Sequence, residues 1–202
     1  MTALRWRVCR LFGIQINIDG SWLIIFALLT WSLTSVFSIA MPGYVTSTYL
    51  VMGLASAFAF FSSVVLHELG HAVAARKMGM KIRGITLFLF GGVAELEDEP
   101  PSARAELWMA IAGPAASLVL AGLFFGLSAL GIQLVWEPVV VLPLLYLGWM
   151  NLVVLLFNMV PAFPLDGGRV LRSILWATGR NLRKATRWSA RCGQIFAWLL
   201  VF

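Results

Sequence analysis

Charged side chains are scarce in this chain. Of its 202 residues, 12% are charged and 60% are hydrophobic, whereas a soluble domain carries about 25% charged residues. This balance excludes a soluble globular protein. Apolar runs of about 20 residues, the length that crosses a bilayer, predict an all-α polytopic membrane protein with about five to six transmembrane helices. The predicted spans, the last cut short by the end of the chain, cover residues 21–40, 48–75, 107–130, 139–157 and 188–202.

Basic residues are missing from two of the connections between these spans, residues 41–47 and 131–138. All 15 Lys and Arg fall in segments that a single orientation places on the opposite side. Because positively charged loops stay in the cytoplasm, we predict a multi-pass protein of the cell membrane whose N-terminus and active site face the cytoplasm. This topology explains the net charge of +6, so nucleic acid is not an expected partner.

Cysteine is also rare, with only Cys9 and Cys192 in the chain. Both fall on the predicted cytoplasmic side, where thiols stay reduced, so no disulfide is expected. The two residues do not form a C-x-x-C pair, which argues against a thiolate metal site.

Two stretches outside the spans have the patterns of strands. Residues 9–22 alternate apolar and polar side chains, and the sequence DGS at 19–21 offers a turn and a cap for the first helix. Residues 82–97, between the second and third spans, surround a Gly-Gly pair with Ile, Thr, Leu and Phe, which predicts a β-hairpin. Backbone at membrane depth must be paired or line a cavity. The hairpin is therefore expected to pack against the helices near the cytoplasmic face.

The sequence HELGH at 67–71 lies in the second span and contains the only two histidines of the protein. His67 and His71 are four residues apart, so both point to one face of a helix and can bind one Zn²⁺. Glu68 flanks the pair, as the general base of a metalloprotease does. A chance match is the alternative for so short a motif. Ionisable groups inside a span are costly, however, and mark functional sites, so we predict a zinc site below the cytoplasmic surface.

Two imidazoles leave the zinc without a third protein ligand, and acidic residues are few. The acidic residues other than Glu68 and Asp166 are placed in the N-terminal strand region, in the polar connection or on the far side: Asp19, Glu95, Glu97, Asp98, Glu99, Glu106 and Glu137. Asp166 follows the fourth span, which runs in the same direction as the second, and so reaches the depth of His67. Pro161 and Pro164 end the helix before it. The alternative is that Asp166 caps the helix that begins at 167–169.

Two motifs together resemble the site-2 protease family of intramembrane zinc metalloproteases. HELGH at 67–71 matches the first motif of that family, and NMVPAFPLDGG at 158–168 matches the second. FGGVA at 90–94 and AGP at 112–114 also resemble the hairpin and the third span of the family. Read without the family, the small residues of AGPAAS at 112–117 are expected to serve close helix packing.

The resemblance implies the roles of the site residues. His67, His71 and Asp166 would bind one zinc ion per chain, and Glu68 would be the catalytic acid and base. Asn158 would contact the substrate backbone or the developing oxyanion. The implied activity is hydrolysis of peptide bonds within or next to the transmembrane helix of a single-pass membrane protein in the bilayer, which releases a cytosolic regulatory fragment.

The predicted hairpin suggests how such a substrate is held. A helix hides its carbonyl groups in hydrogen bonds, so a helical substrate must unwind before it is cut. The exposed edge of the 82–97 hairpin is expected to pair with the unwound strand. On this reading the residues of the hairpin that are expected to bind substrate are Phe88, Gly91 and Gly92.

The chain resembles the small members of the family, which lack a PDZ-like insert and carry C-terminal CBS domains. No such insert is present in the sequence, and the chain ends inside an apolar run before a sixth span. We therefore predict a single membrane-embedded metalloprotease core over residues 1–202, truncated at its C-terminus.

Two other functions are compatible with parts of the sequence. A metal transporter would need polar groups throughout the depth of its spans, and the outer halves of the predicted spans are almost wholly apolar. A catalytically inactive scaffold that binds transmembrane helices would have no use for Glu68.

Overall fold

The computed structural model describes residues 5–89, 91–96 and 99–201, with no description of the side chains at 200 and 201. Three residues considered above lie outside the described residues. They are Phe90 of the FGGVA motif and the acidic Glu97 and Asp98.

Four helices in the described part of the chain are long and apolar enough to cross a membrane. They are α1 (Trp22–Ala40), α2 (Thr46–Lys77), α3 (Ala103–Gln133) and α4 (Pro138–Asn158). The most apolar window of each has a mean hydropathy between 2.0 and 2.3, as expected of helices that contact lipid and one another rather than water. The chain is a mostly helical, multi-pass membrane protein, and these helices coincide with the first four predicted spans.

Two amphipathic helices follow, α5 (Asp166–Gly179) and α6 (Leu182–Val201). The fifth predicted span, residues 188–202, falls largely on α6. This helix is not among the four able to cross a membrane, because its first half carries several Arg and Lys side chains. The predicted total of five to six spans therefore stays a prediction.

A small sheet lies beside the helices. Its strands are β1 (Arg5–Leu11), β2 (Ile14–Asp19), β3 (Ile82–Phe88) and β4 (Gly91–Leu96), in that spatial order. β1 with β2 and β3 with β4 form antiparallel hairpins, and β2 pairs with β3 in parallel. The interior strand β3 is thus paired on both sides, and β4 forms one edge of the sheet.

The helix α2 is the central element of the fold. It packs against α1, α3 and α4 and also against β3 and β4. Buried apolar side chains join the sheet to α2 in one cluster formed by Ile14, Leu69, Ala72 and Ile85. Because Leu69 and Ala72 lie within a turn of the HELGH motif, this cluster fixes the sheet close to the predicted metal site.

Two local expectations from the sequence are wrong. Ser21 stands at the N-cap position of α1 but makes no capping hydrogen bond; its hydroxyl accepts a hydrogen bond from the Leu89 N–H at 3.1 Å instead, because the β3–β4 turn approaches it. Glu106 does not lie in the polar connection. It belongs to α3, which begins at Ala103, and its side chain has no exposed surface.

Candidate metal centre

The HELGH motif is part of the continuous helix α2 and faces the interior of the bundle. His67 and His71 are only 4% and 9% exposed. Their Nε2 atoms lie 3.1 Å apart, because a spacing of four residues puts both rings on one face of the helix. The two imidazoles therefore point to one place.

Asp166 faces the same place from another element. After α4 the chain crosses through residues 159–165, and Asp166 is the first residue of α5. Its Oδ2 atom lies 3.2 Å from Nε2 of His67 and 3.2 Å from Nε2 of His71. Asp166 does not cap α5, because the N-cap residue of this helix is Leu165 and no side chain makes a capping hydrogen bond there.

The outward nitrogen of each imidazole is also engaged. Nδ1 of His71 lies 2.7 Å from the carbonyl oxygen of Met109, and Nδ1 of His67 lies 2.8 Å from the hydroxyl of Ser117. A carbonyl can only accept, so Nδ1 of His71 donates, and the neutral ring then has its lone pair on Nε2. Partners of this kind fix the tautomer and the orientation of histidine ligands.

The residues behind the histidines form one face of α3. Met109, Gly113 and Ser117 are spaced four residues apart and so lie on one side of the helix. A Cβ atom at Gly113 would stand 2.7 Å from Nε2 of His67 and closer still to His71. The sequence analysis predicted only helix packing for AGPAAS at 112–117 and did not identify its contact with the two histidines. The regular spacing of Met109, Gly113 and Ser117 was the available signal.

The donor set fits a metal ion. The two Nε2 atoms and Oδ2 of Asp166 are mutually separated by 3.1 to 3.2 Å, and ligands at zinc bond lengths of about 2.0–2.1 Å are spaced by about 3.3–3.4 Å in a tetrahedron. Three lone pairs that converge in a buried site repel one another unless a cation or a proton lies between them. Two imidazoles and one carboxylate are a ligand set of catalytic zinc sites, with one position left open.

Glu68 lines a cavity together with the three donor residues. The cavity has a volume of about 160 Å³ and is bounded by parts of α2, α3, α4, α5 and β4. Gly92 of β4 lies directly against Glu68, since a Cβ atom at Gly92 would be 2.7 Å from Cγ of Glu68. The glutamate thus stands between the donor cluster and the edge strand of the sheet.

The four residues expected to bind substrate lie in different places. Gly92 and Asn158 line the cavity that contains Glu68, and Gly91 joins them along a second, more apolar cavity next to it. Nδ2 of Asn158 donates to the carbonyl of Val154 at 3.0 Å. Phe88 pairs with Gly91 at the end of β3 and is not among the described residues that line either cavity.

Residues 55–138 and 132–200 match Peptidase family M50. The chain belongs to this family. It is 42% identical, over 96% of its length and 50% of the relative's, to a Synechocystis protein provisionally named a zinc metalloprotease. It is 40% identical, over 70% of its length and 40% of the relative's, to a protein named zinc metalloprotease of Methanocaldococcus jannaschii. The chain spans about half the length of the curated relatives it matches.

A solved structure supports the same assignment. The structure of a site-2 protease from Methanocaldococcus jannaschii matches with a TM-score of 0.63 and 31% identity. The match covers 98% of this chain and 83% of that one. The resemblance to the site-2 protease family inferred from the two motifs is therefore confirmed, and the Synechocystis and Methanocaldococcus relatives are named as zinc metalloproteases.

Proposed function

We propose that this chain is the catalytic core of an intramembrane zinc metalloprotease. The observation that carries the proposal is the convergence of His67, His71 and Asp166 beside Glu68, in a cavity within a bundle of apolar helices. His67, His71 and Asp166 would hold one zinc ion. Ser117 and the Met109 carbonyl would orient the two imidazoles.

Peptide hydrolysis at this site requires a metal ion and a base. When bound, the zinc supplies Lewis acidity, which polarises the peptide carbonyl and favours deprotonation of water. Glu68 accepts the proton of the attacking water as the new bond from oxygen to the carbonyl carbon forms. Glu68 then gives that proton to the amine nitrogen as the bond between carbon and nitrogen breaks. No covalent link between enzyme and substrate is needed.

The proposed substrate is the apolar transmembrane segment of a single-pass membrane protein. The second cavity, of about 450 Å³, is lined by apolar side chains of α1, α2 and α4 and reaches His67 and Glu68. Ile25, Val64 and Val153 are among these side chains. Val153, in the wall of this cavity, is 60% exposed, which supports access to the cavity from the membrane. Asn158 stands where the two cavities meet and is placed to contact the substrate backbone.

We also propose that the N-terminus and the active site face the cytoplasm and that cleavage releases a cytosolic fragment. The connections at 41–47 and 131–138, which follow α1 and α3, contain no Lys or Arg. Basic side chains instead follow the C-terminal ends of α2 and α4, near which the metal site lies. The positive-inside rule places those ends in the cytoplasm.

The first test is zinc-dependent cleavage of a membrane reporter. The purified chain in lipid vesicles is expected to cut a single-span reporter, to lose this activity on treatment with a zinc chelator, and to regain it when zinc is added back. A Gly-Pro pair in the middle of the reporter span should speed cleavage, because it weakens the helix that hides the carbonyls. Fragments are quantified by mass spectrometry. Activity that survives complete removal of zinc would contradict the proposal.

The edge strand β4 is the proposed docking site for the unwound substrate. Thr86 on β3 is paired on both sides, to Asn17 and to Val93, so the backbone edge open to a new strand belongs to β4 and not to β3. β4 also lines the cavity through Gly92, Val93 and Ala94. Strand addition would therefore bring the substrate backbone beside Glu68.

Proline substitutions in β4 test this docking. In an antiparallel pair, alternate residues direct their N–H away from the partner strand. One of the two variants Val93→Pro and Ala94→Pro therefore removes an N–H that points toward the substrate, and the other removes an N–H that points toward β3. The variant that removes an outward N–H is expected to bind zinc normally and to cleave the reporter at least about 10-fold more slowly. Val8→Pro, on the opposite, exposed edge of the sheet, is the matched control. Normal cleavage by both β4 variants would exclude strand addition.

The alternative functions are not favoured. Membership of a peptidase family and the position of Glu68 against the donor cluster both support a hydrolase. A transporter or an inactive scaffold would leave this glutamate without a purpose.

A further inference from the structure

A buried ion pair lies outside the donor cluster. Glu106 on α3 has no exposed surface, and the Arg172 side chain on α5 is 15% exposed. Nε of Arg172 donates to Oε1 of Glu106 at 2.6 Å, and the Nη2 group of Arg172 contacts the same oxygen. Burying a carboxylate is costly even when it is paired. The proposed reaction uses neither group, so the pair calls for another explanation.

The ion pair joins the two helices that frame the metal centre. Glu106 lies one turn before Met109, whose carbonyl accepts the hydrogen bond of His71. Arg172 lies on the helix that begins with Asp166. One charge-assisted contact therefore connects the helix that orients the histidines to the helix that presents the aspartate.

Arg172 also contacts the segment that leads into Asp166. Its guanidinium group lies 5.4 Å from the ring centroid of Phe163, which is within the range of a cation–π interaction. On the next helix, the hydroxyl of Ser189 donates to the carbonyl of Gly168 at 2.6 Å. The start of α5 is thus held to α3 through the contact of Arg172 with Glu106 and to α6 through Ser189.

We propose that Glu106 and Arg172 are positioning residues that hold Asp166 against His67 and His71 and thereby set the metal affinity of the site. Groups outside the ligand shell that fix the ligands typically change metal affinity by about 10- to 100-fold when they are removed. The inference rests on the proposed zinc site. A purely structural role is separable from it, because replacing both members of a buried ion pair by apolar side chains is often neutral for stability.

The test compares metal binding by four proteins: the parent, Glu106→Gln, the double variant Glu106→Met/Arg172→Met, and the control Arg5→Gln. The control removes the exposed 3.1 Å pair between Arg5 of β1 and Glu95 of β4, which includes no residue of α3 or α5. Zinc affinity is measured in detergent by competition with a coloured chelator. The visible absorption spectrum of the cobalt-substituted protein reports the coordination geometry, and thermal unfolding of the metal-free protein reports stability.

Glu106→Gln and the double variant are expected to bind zinc about 10- to 100-fold more weakly than the parent and to show shifted cobalt bands, while Arg5→Gln matches the parent. Should Glu106→Gln fail to fold, the double variant carries the test, since it leaves no unpaired buried charge. A folded double variant with the affinity and cobalt spectrum of the parent would overturn the inference. A parent that binds no zinc would instead overturn the proposed metal site itself.

Discussion

Glu68→Gln is expected to reduce cleavage of the membrane reporter by about 10² to 10⁴-fold, the usual contribution of a general acid and base. Glutamine has nearly the same size and keeps the contact with Gly92, but its amide cannot take a proton from water. The zinc content should not change, because the Glu68 carboxylate is not part of the converging donor group formed by His67, His71 and Asp166. The measurement is kcat/KM for the reporter together with zinc per chain.

A matched substitution separates this chemical effect from any effect on the fold. Glu137→Gln makes the same change at the N-terminus of α4, beyond the far end of the bundle, and should cleave the reporter like the parent. Two results would contradict the role of Glu68. One is cleavage by Glu68→Gln above about one tenth of the parent rate. The other is loss of zinc from that variant, which would make Glu68 a ligand rather than a base.

Asp166→Ala is expected to remove the zinc. The parent should contain one zinc per chain, and the variant should bind it at least about 100-fold more weakly, because catalytic zinc sites use three protein ligands and the variant retains only two. Loss of the metal also removes the Lewis acid, so cleavage should stop. Zinc is measured by atomic emission after exhaustive dialysis, and no knowledge of the natural substrate is needed.

Asp19→Ala is the control for this loss. Asp19 ends β2 and its carboxylate accepts a hydrogen bond from the Ser21 N–H at 2.9 Å, so the variant removes an aspartate with a local structural role and should retain its zinc. Full zinc in Asp166→Ala would show that another group completes the site. An equal loss in Asp19→Ala would show that zinc content follows general destabilisation.

The sequence alone determined the elements whose signals are local. Apolar runs long enough to cross a bilayer placed α1 to α4, because each span must satisfy its backbone internally whatever its neighbours are. The spacing of His67 and His71 placed both rings on one face, because that geometry belongs to any α-helix. Asp166 could be proposed as the third ligand because so few acidic residues occur at membrane depth.

Other features depended on contacts between segments that are distant in the chain, and sequence patterns do not record these. The sequence analysis placed Glu106 in a polar connection. In the structure α3 begins before Glu106, and Arg172, 66 residues away, pairs with this glutamate. The hairpin at 82–97 was expected to offer an exposed edge, and the parallel pairing of β2 with β3 makes β4 the strand of the hairpin that forms this edge.

The donor cluster depends both on local sequence patterns and on tertiary contacts. Each helix could be predicted from its own residues. The approach of α3 to the histidines, however, depends on Gly113, where a Cβ atom would collide with both rings. The tautomer of His71 depends on the Met109 carbonyl that this approach brings within 2.7 Å. The sequence determined which groups are able to bind a metal. Tertiary packing decided which lone pairs converge, because the distances between helices are set by the side chains at their contacts.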